Sequence, residues 1–222
     1  MNFNKFFQKI YRTLLDLFLP KNYEQRFLDN LTAEEFLDLT EPAVISNASD
    51  IISAVKYKNK LVKQAVWSLK FKNNQKIARL FAIILYDILA EELAELKLLN
   101  NFERPLLIPI PLARQKLRER GYNQTELIAR AMQNLDKNNL FEYRADILKK
   151  IKNTAPQSRA RNATERARNL KGCFQVVAPL AVKKRNILLL DDVITTGATL
   201  REATRVLRRA GARRVLLVTV AR

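Results

Sequence analysis

The chain contains no histidine and a single cysteine, Cys173, among its 222 residues. These absences exclude a disulfide framework, a zinc site built from cysteine and histidine, and any catalytic triad that depends on histidine. A lone thiol without an obvious activating partner is typical of a small buried apolar residue, so we assign Cys173 no chemistry. Any catalysis must therefore use carboxylates, cations, backbone dipoles and a borrowed metal ion.

Long apolar runs are also missing, since no stretch approaches the ~20 apolar residues that a membrane span requires. The first residues do not resemble a signal peptide, because Lys5, Lys9, Arg12 and Asp16 interrupt the apolar positions. Glycine is scarce, and none of the 4 glycines stands in a P-loop arrangement. We therefore expect a cytoplasmic protein that has no transmembrane segment.

Acidic residues are few compared with basic ones: 22 Asp and Glu stand against 40 Lys and Arg, which gives a formal charge of +18. Such a surface attracts polyanions, among them nucleic acid, phosphorylated metabolites and anionic membranes. A solvated cationic face with no specific partner explains the charge equally well. The charge therefore supports a phosphate ligand without identifying one.

The two parts of the chain differ in periodicity. Helical spacing of apolar residues predicts amphipathic helices over residues 3–18, 49–72 and 75–99. From residue 106 onward, short apolar runs alternate with helical patterns, which favours a mostly parallel sheet with helices on its faces. The runs cover 106–110, the neighbours of Ile147, 173–177, 186–190 and 215–220. We predict an N-terminal helical segment over 1–50 and an α/β domain over 51–222.

The strongest signal is the segment 186–200, which reads N-I-L-L-L-D-D-V-I-T-T-G-A-T-L. Its continuous apolar run is typical of a parallel strand that is buried on both faces. Asp191 and Asp192 follow at the carboxyl end of this strand, where open α/β sheets place their ligands. A short polar turn then leads into a helix that runs to about Ala210, with Gly211 suited to the helix end.

Each residue type in this turn favours a sugar phosphate. Unpaired amides at a helix N-terminus bind a phosphate dianion, and Gly197 allows close approach and a positive φ. Two adjacent carboxylates can accept hydrogen bonds from the vicinal hydroxyls of a ribose. Hydroxyl donors come from Thr195, Thr196 and Thr199. One alternative for this segment is a Walker B strand, which also places acids after four aliphatic residues, but such a strand requires the P-loop that this chain lacks. The other alternative is a purely structural turn.

Two basic segments lie outside this turn. The connection after the strand at 106–110 contains Arg114, Lys116, Arg118 and Arg120, as a pyrophosphate site would require. Tyr122, Asn123 and Gln124 then open the next helix. The segment 159–171, which includes Arg166, has little apolar content and is predicted to be a mobile loop that closes over a charged substrate. A solvated surface or a nucleic-acid patch is the alternative for both segments.

The segment 191–199 resembles the phosphoribosyl pyrophosphate motif of type I phosphoribosyltransferases. Segments 108–130 and 154–174, and more weakly 57–71, are similar to the ComF family of phosphoribosyltransferase-like proteins, which is associated with DNA uptake in natural competence. ComF proteins usually carry a four-cysteine zinc module near the N-terminus, whose cysteines are absent here. We expect metal-free helical structure in its place and no zinc.

The resemblance implies a type I phosphoribosyltransferase-like sheet flanked by helices, and a ligand that is phosphoribosyl pyrophosphate or a related ribose 5-phosphate. Mg²⁺ would accompany the pyrophosphate, with few direct protein ligands. Asp191 and Asp192 are the candidate catalytic residues. The candidate substrate-binding residues are Val193, Thr195, Thr196, Gly197, Ala198, Thr199, Arg118, Arg120, Gly121, Asn123, Gln124 and Arg166.

Two functions follow from these expectations. The first is a phosphoribosyltransferase of the glycosyltransferase class. The second is a non-catalytic sensor or accessory of DNA uptake that keeps the nucleotide site and binds single-stranded DNA, or other competence proteins, through its basic surface. Fold alone does not decide between them, because function depends on the site and its acceptor pocket.

Overall fold

A computed structural model describes residues 21–43, 50–152 and 170–222 of the chain. The chain divides into two compact units, residues 1–32 and 33–222. In the first unit the described element is α1 (Lys21–Asn30). The amphipathic helix predicted over 3–18 lies outside the described residues, and the predicted domain boundary at residue 50 stays a prediction.

The second unit contains a sheet of five strands. They are β1 (Ile51–Val55), β2 (Leu106–Pro109), β3 (Glu142–Tyr143), β6 (Asn186–Val193) and β7 (Arg214–Ala221). All pairings are parallel and the order is β1-β7-β6-β2-β3. A separate antiparallel pair consists of β4 (Leu148–Lys150) and β5 (Phe174–Val176). The described part of the chain therefore has the predicted mostly parallel sheet.

Helices connect and cover these strands. Their bounds are α2 (Ala33–Asp38), α3 (Lys60–Lys72), α4 (Gln75–Asn100), α5 (Arg114–Arg120), α6 (Gln124–Leu135), α7 (Pro179–Val182) and α8 (Ala198–Arg209). On one face of the sheet, α6 contacts β2 and β6, while α4 contacts β1, β7 and α6. The other face carries α8 and the β4–β5 pair, which share one apolar core with β2 and β6. None of the described helices is long and apolar enough to cross a membrane.

The central strand explains why the sequence signal at 186–190 is continuous. Ile187, Leu188, Leu189 and Leu190 are all fully buried, because helices cover the sheet on both sides. A strand buried on both faces needs apolar residues at every position rather than at alternate ones. Cys173 is also fully buried, within the core beneath α8.

The sheet topology creates a crevice between β2 and β6. The chain leaves β2 toward β3 at one edge, whereas it leaves β6 toward β7 in the opposite direction. The connecting helices diverge at such a switch point, and open α/β sheets bind ligands there, outside the carboxyl ends of the strands. The fold therefore directs attention to the ends of β2 and β6.

Several sequence predictions are confirmed and one is wrong. The helix predicted over 75–99 corresponds to α4, and the apolar runs predicted as strands correspond to β2, β5, β6 and β7, with β4 beginning just after Ile147. The single helix predicted over 49–72 is wrong in its first part, because Ile51–Val55 form strand β1. The β-branched Ile51, Ile52 and Val55 pack better on a pleated sheet than in a helix.

Candidate active site

A pocket of about 170 Å³ opens at the carboxyl end of β6. It is lined by the last residues of that strand, the following loop and the first turn of α8, with two side chains from elsewhere. The lining residues are Tyr57, Lys70, Asp191, Asp192, Val193, Ile194, Thr195, Thr196, Gly197, Ala198, Thr199 and Leu200. The acid pair and the helix start thus face the same cavity, at the edge of the sheet that the topology indicates.

β6 extends three residues beyond the predicted strand, so that both acids belong to the strand itself. Asp192 is 4% exposed and has two partners on the α3 and α6 side of the sheet. Its Oδ2 accepts hydrogen bonds from Lys70 Nζ at 2.9 Å and from Gln124 Nε2 at 3.2 Å. Asp191 is less buried, and its Oδ1 accepts a hydrogen bond from the Asp192 amide at 2.9 Å. The two carboxylates therefore have different surroundings.

This difference affects their protonation. Burial, followed by the charge of Asp192, raises the pKa of Asp191 to about 7, and the positive charges of Lys70 and Lys150 limit the rise. Burial opposes the charge of Lys70, but the Asp192 carboxylate outweighs it and raises the pKa of Lys70. Burial lowers the pKa of Lys150 on β4. A cation or a hydrogen-bond donor entering the pocket would favour the ionised form of Asp191.

The loop between β6 and α8 is fixed at both ends. Ile194 N donates to Ala221 O of β7 at 2.9 Å, which holds the start of the loop against the neighbouring strand. Gly197 is the N-cap residue of α8 and has φ of 69°. A residue with a side chain would be strained in this left-handed backbone conformation, and its Cβ would lie 3.0 Å from Arg201 Nη1. As predicted, the glycine permits a tight turn that presents the helix N-terminus to the pocket.

A series of side-chain hydrogen bonds links the segment that follows β2 to the acid pair. Arg120 Nη1 donates to Gln124 Oε1, and Gln124 Nε2 in turn donates to Asp192 Oδ2. Asn123 is the N-cap of α6, where its Oδ1 accepts from the Thr125 amide and its Nδ2 donates to Ile110 O at 3.0 Å. These bonds attach the start of α6 to the end of β2. They place Gln124 beside the switch point.

The structure brings together most of the predicted site residues. All the predicted residues between 191 and 199 line the pocket, and Gln124 contacts the acid pair directly. Arg120 reaches the acid pair through Gln124, while Asn123 has its partners inside the protein. Arg118 and Gly121 are exposed, and Arg166 lies outside the described residues. The substrate-binding roles assigned to these residues stay predictions.

Sequence reasoning did not assign Lys70, Tyr57 or Lys150 to the site. Lys70 lies on α3, 122 positions before its partner Asp192, so no local pattern could pair them. The available signal is the weaker family likeness over residues 57–71, which contains Lys70. A lysine at the end of a helix is usually solvated, and the fold alone turns this one toward the sheet.

Comparison with known proteins agrees with this geometry. The family model of the phosphoribosyl transferase domain matches residues 127–222. The sheet, the acidic strand end and this match together define a phosphoribosyltransferase-like domain of type I.

Similar individual proteins narrow the family assignment. Competence protein F of Haemophilus influenzae is 37% identical over 161 residues, which cover 69% of this chain and 64% of that protein. DNA utilization protein YhgH of Escherichia coli O157:H7 is 31% identical over 149 residues, covering 66% and 61%. Competence protein ComFC of Streptococcus pneumoniae is 30% identical over 164 residues, covering 74% and 64%. These relatives confirm the resemblance to the ComF family, and the chain spans less than two thirds of the length of each.

Proposed function

We propose that this chain binds phosphoribosyl pyrophosphate, or a related ribose 5-phosphate, in the pocket at the end of β6. The observation that carries the proposal is that two carboxylates and a helix N-terminus line one pocket at the switch point of a parallel sheet. Asp191 and Asp192 would accept hydrogen bonds from the ribose hydroxyls. The amides and hydroxyls of 195–199 would bind the 5-phosphate.

The cations around the pocket support an anionic ligand. Lys70 lines the pocket with 26% of its side chain exposed, so its ammonium is available to a phosphate as well as to Asp192. Arg120 is held near the acid pair through Gln124. Together with Arg118 it would face the pyrophosphate of the ligand. Charge-assisted hydrogen bonds of this kind are stronger than neutral ones.

Mg²⁺ is part of this proposal. The described residues contain no cluster of three or more side chains that could hold a metal ion. Asp191 and Asp192 offer two carboxylates at most, which fits an ion that keeps most of its ligands from water and substrate phosphates. Bound in this way, the ion would neutralise charge on the departing pyrophosphate.

If the protein is catalytic, the reaction transfers the phosphoribosyl group. The bond from ribose C1 to pyrophosphate breaks, positive charge develops at C1, and an acceptor forms the new bond. The residues of the pocket would mainly orient the sugar and bind the leaving group, which is the kind of catalysis that needs no histidine. The hydroxyl contacts of Asp191 and Asp192 would fix the ribose while this charge develops.

The names of the relatives support a second candidate, a non-catalytic sensor or single-stranded-DNA accessory of DNA uptake. The formal charge of +18 is consistent with this role. Asp191→Asn/Asp192→Asn separates the candidates. Salt-dependent DNA binding that survives the change favours the accessory, whereas pyrophosphate release that disappears with it favours the enzyme.

Calorimetric titration with phosphoribosyl pyrophosphate and MgCl₂ tests the proposed ligand. We expect saturable binding by the wild type. The affinity of Thr196→Ala/Thr199→Ala should be lower by about tenfold or more, because hydroxyl donors to the phosphate are lost. Thr204→Ala is the matched control, since Thr204 lies on α8 but outside the pocket. Absence of heat with the wild type, or equal affinities for all three proteins, would refute the proposal.

A further inference from the structure

Two large aromatic side chains lie exposed on α3, close to the pocket. Trp67 is 51% exposed and Phe71 is 63% exposed. Their ring centroids are 5.7 Å apart with the planes inclined at 41°, so that the rings form one tilted pair along the helix. The opposite side of α3 supplies core residues such as Val62, Val66 and Leu69, which makes the aromatic pair a feature of the solvent side.

Positive charges accompany this aromatic pair. Lys72 Nζ lies 5.3 Å from the centroid of Trp67, and Arg120 Cζ lies 5.3 Å from the centroid of Phe71. Lys60 and Lys63 are exposed at helical spacing before Trp67. α3 contains no acidic residue, and none of the ion pairs recorded among the described residues includes Lys60 or Lys63.

We propose that this surface binds single-stranded nucleic acid. We call it the stacking surface and define it by Lys60, Lys63, Trp67, Phe71, Lys72 and Arg120. Single strands combine flat bases with a phosphate at every nucleotide, and proteins that bind them combine aromatic rings for the bases with cations for the backbone. A duplex keeps its bases stacked inside and offers the rings nothing to stack on.

The chemistry of the surface favours this occupant over an acidic protein segment. Carboxylates would satisfy the lysines but leave the two rings in water. A nucleic-acid strand uses both components, since a ring stacks on any base while its cationic neighbour binds the adjoining phosphate. If the oligonucleotide fails to bind in the test below, an acidic protein segment becomes the favoured partner instead.

The stacking surface is connected to the pocket through Arg120. This arginine lies over Phe71 and also donates to Gln124, which contacts Asp192. The inference rests on the second candidate function, binding of single-stranded DNA, which it places on named residues, and it does not require the proposed binding of a ribose phosphate. The two are distinguishable, because one is measured with phosphoribosyl pyrophosphate and the other with an oligonucleotide.

Trp67 is the only tryptophan of the chain, so its fluorescence reports on this surface alone. We expect a short oligothymidylate to quench this fluorescence in a saturable way, and a duplex of the same length to quench it far less. Binding of a labelled oligothymidylate, followed by anisotropy, should weaken by roughly tenfold or more in Trp67→Ala/Phe71→Ala. Trp67→Phe/Phe71→Tyr retains both rings and should bind within a few-fold of the wild type.

Two further variants separate stacking from general charge. Lys60→Gln/Lys63→Gln should weaken binding and reduce its salt dependence. Lys183→Gln/Lys184→Gln removes the same charge from exposed lysines elsewhere and should have little effect. Melting temperatures of all variants establish that they fold. The inference is overturned if the wild type does not bind the oligonucleotide, if Trp67 is not quenched, or if the alanine variant binds as the wild type does.

Discussion

The candidate site has two parts that originate differently in the chain. One part is the end of β6 with the loop to α8, where nine consecutive positions, 191–199, supply acids, hydroxyls and helix amides. The other part consists of side chains that reach the same acids from separate elements, Lys70 from α3 and Gln124 from α6. In the first part, the ligand-binding groups are therefore adjacent to one another in the sequence. The second part sets the charge and position of Asp192.

The difference shows how the site is organised. A continuous segment keeps its internal geometry as long as the strand and the helix that flank it are formed. Lys70 depends on the packing of α3 against α4, and Gln124 depends on the packing of α6 against β2 and β6, so their contacts with Asp192 report on tertiary structure. Variants of the two parts should therefore differ in what they change, and the following predictions run from the largest effect to the smallest.

Replacement of both acids should have the largest effect. Asp191→Asn/Asp192→Asn removes two charged acceptors, and we expect the affinity for phosphoribosyl pyrophosphate, measured by calorimetry, to fall at least about 100-fold. Glu103→Gln/Asp146→Asn is the matched control, because it removes the same charge from exposed carboxylates on the surface. Comparable losses in both variants would mean that general electrostatics, rather than the pocket, attracts the ligand.

Loss of the distant cation should have a smaller effect. Lys70→Met leaves the nearly buried Asp192 without its ion-pair partner and removes an ammonium from the pocket. We expect a roughly tenfold loss of affinity and a lower melting temperature. Lys70→Arg should recover most of the affinity. Lys72→Met, which changes the next lysine along α3, should leave it unaffected; a loss there equal to that of Lys70→Met would contradict a specific role of Lys70.

The raised pKa of Asp191 predicts a pH-dependent stability. Between about pH 4, where the unfolded carboxyl ionises, and about pH 7, the folded protein binds the extra proton, so stability falls as the pH rises. Asp191→Asn removes this penalty. Its melting temperature should exceed that of the wild type by roughly 5 °C near pH 8, and the difference should vanish near pH 4. Calorimetric melting at both pH values tests this prediction, and a difference that does not depend on pH would rule out this account.

The glycine of the loop should have the smallest effect of the four. Gly197→Ala places a side chain at a φ of 69° and should reduce the free energy of unfolding by about 1 kcal/mol. Affinity for phosphoribosyl pyrophosphate should fall several-fold, because the helix start shifts relative to the acids. Gly211→Ala, at a φ of 92° beyond the other end of α8, should reduce stability similarly without changing affinity. If Gly197→Ala and Gly211→Ala bind phosphoribosyl pyrophosphate with equal affinity, the geometry of the loop does not contribute to binding.

The same comparison explains what could be predicted from sequence. Residues 191–199 were assigned to one site because strand end, turn and helix start are adjacent in the chain. Contacts between distant residues have no such signal: Lys70 and Asp192 are 122 positions apart and meet only in the folded chain. The sequence predicted that a phosphate site exists near the acids, but the fold was needed to show which cations accompany it.

The misassigned segment 49–72 has a local physical reason. Val62, Ala65, Val66 and Leu69 recur at helical spacing, and extending this pattern backward absorbed the short strand β1. The start of the helix is marked by Asn59, whose Oδ1 accepts hydrogen bonds from the amides of Leu61 and Val62 in the first turn of α3. An asparagine before a helical pattern is a start signal that should outweigh an apolar run preceding it.

The position of β7 in the sheet has a consequence for synthesis of the protein. β7 lies between β1 and β6, yet it is translated after both. Ser53 of β1 and Thr219 of β7 share a buried hydroxyl contact across 166 positions of sequence. During translation, β1 therefore emerges from the ribosome long before its ladder partner exists, and its backbone groups stay unpaired on that side until β7 is made. Because Ile194 N, at the start of the pocket loop, donates to Ala221 O of β7, this anchor of the loop forms only after the last strand is made.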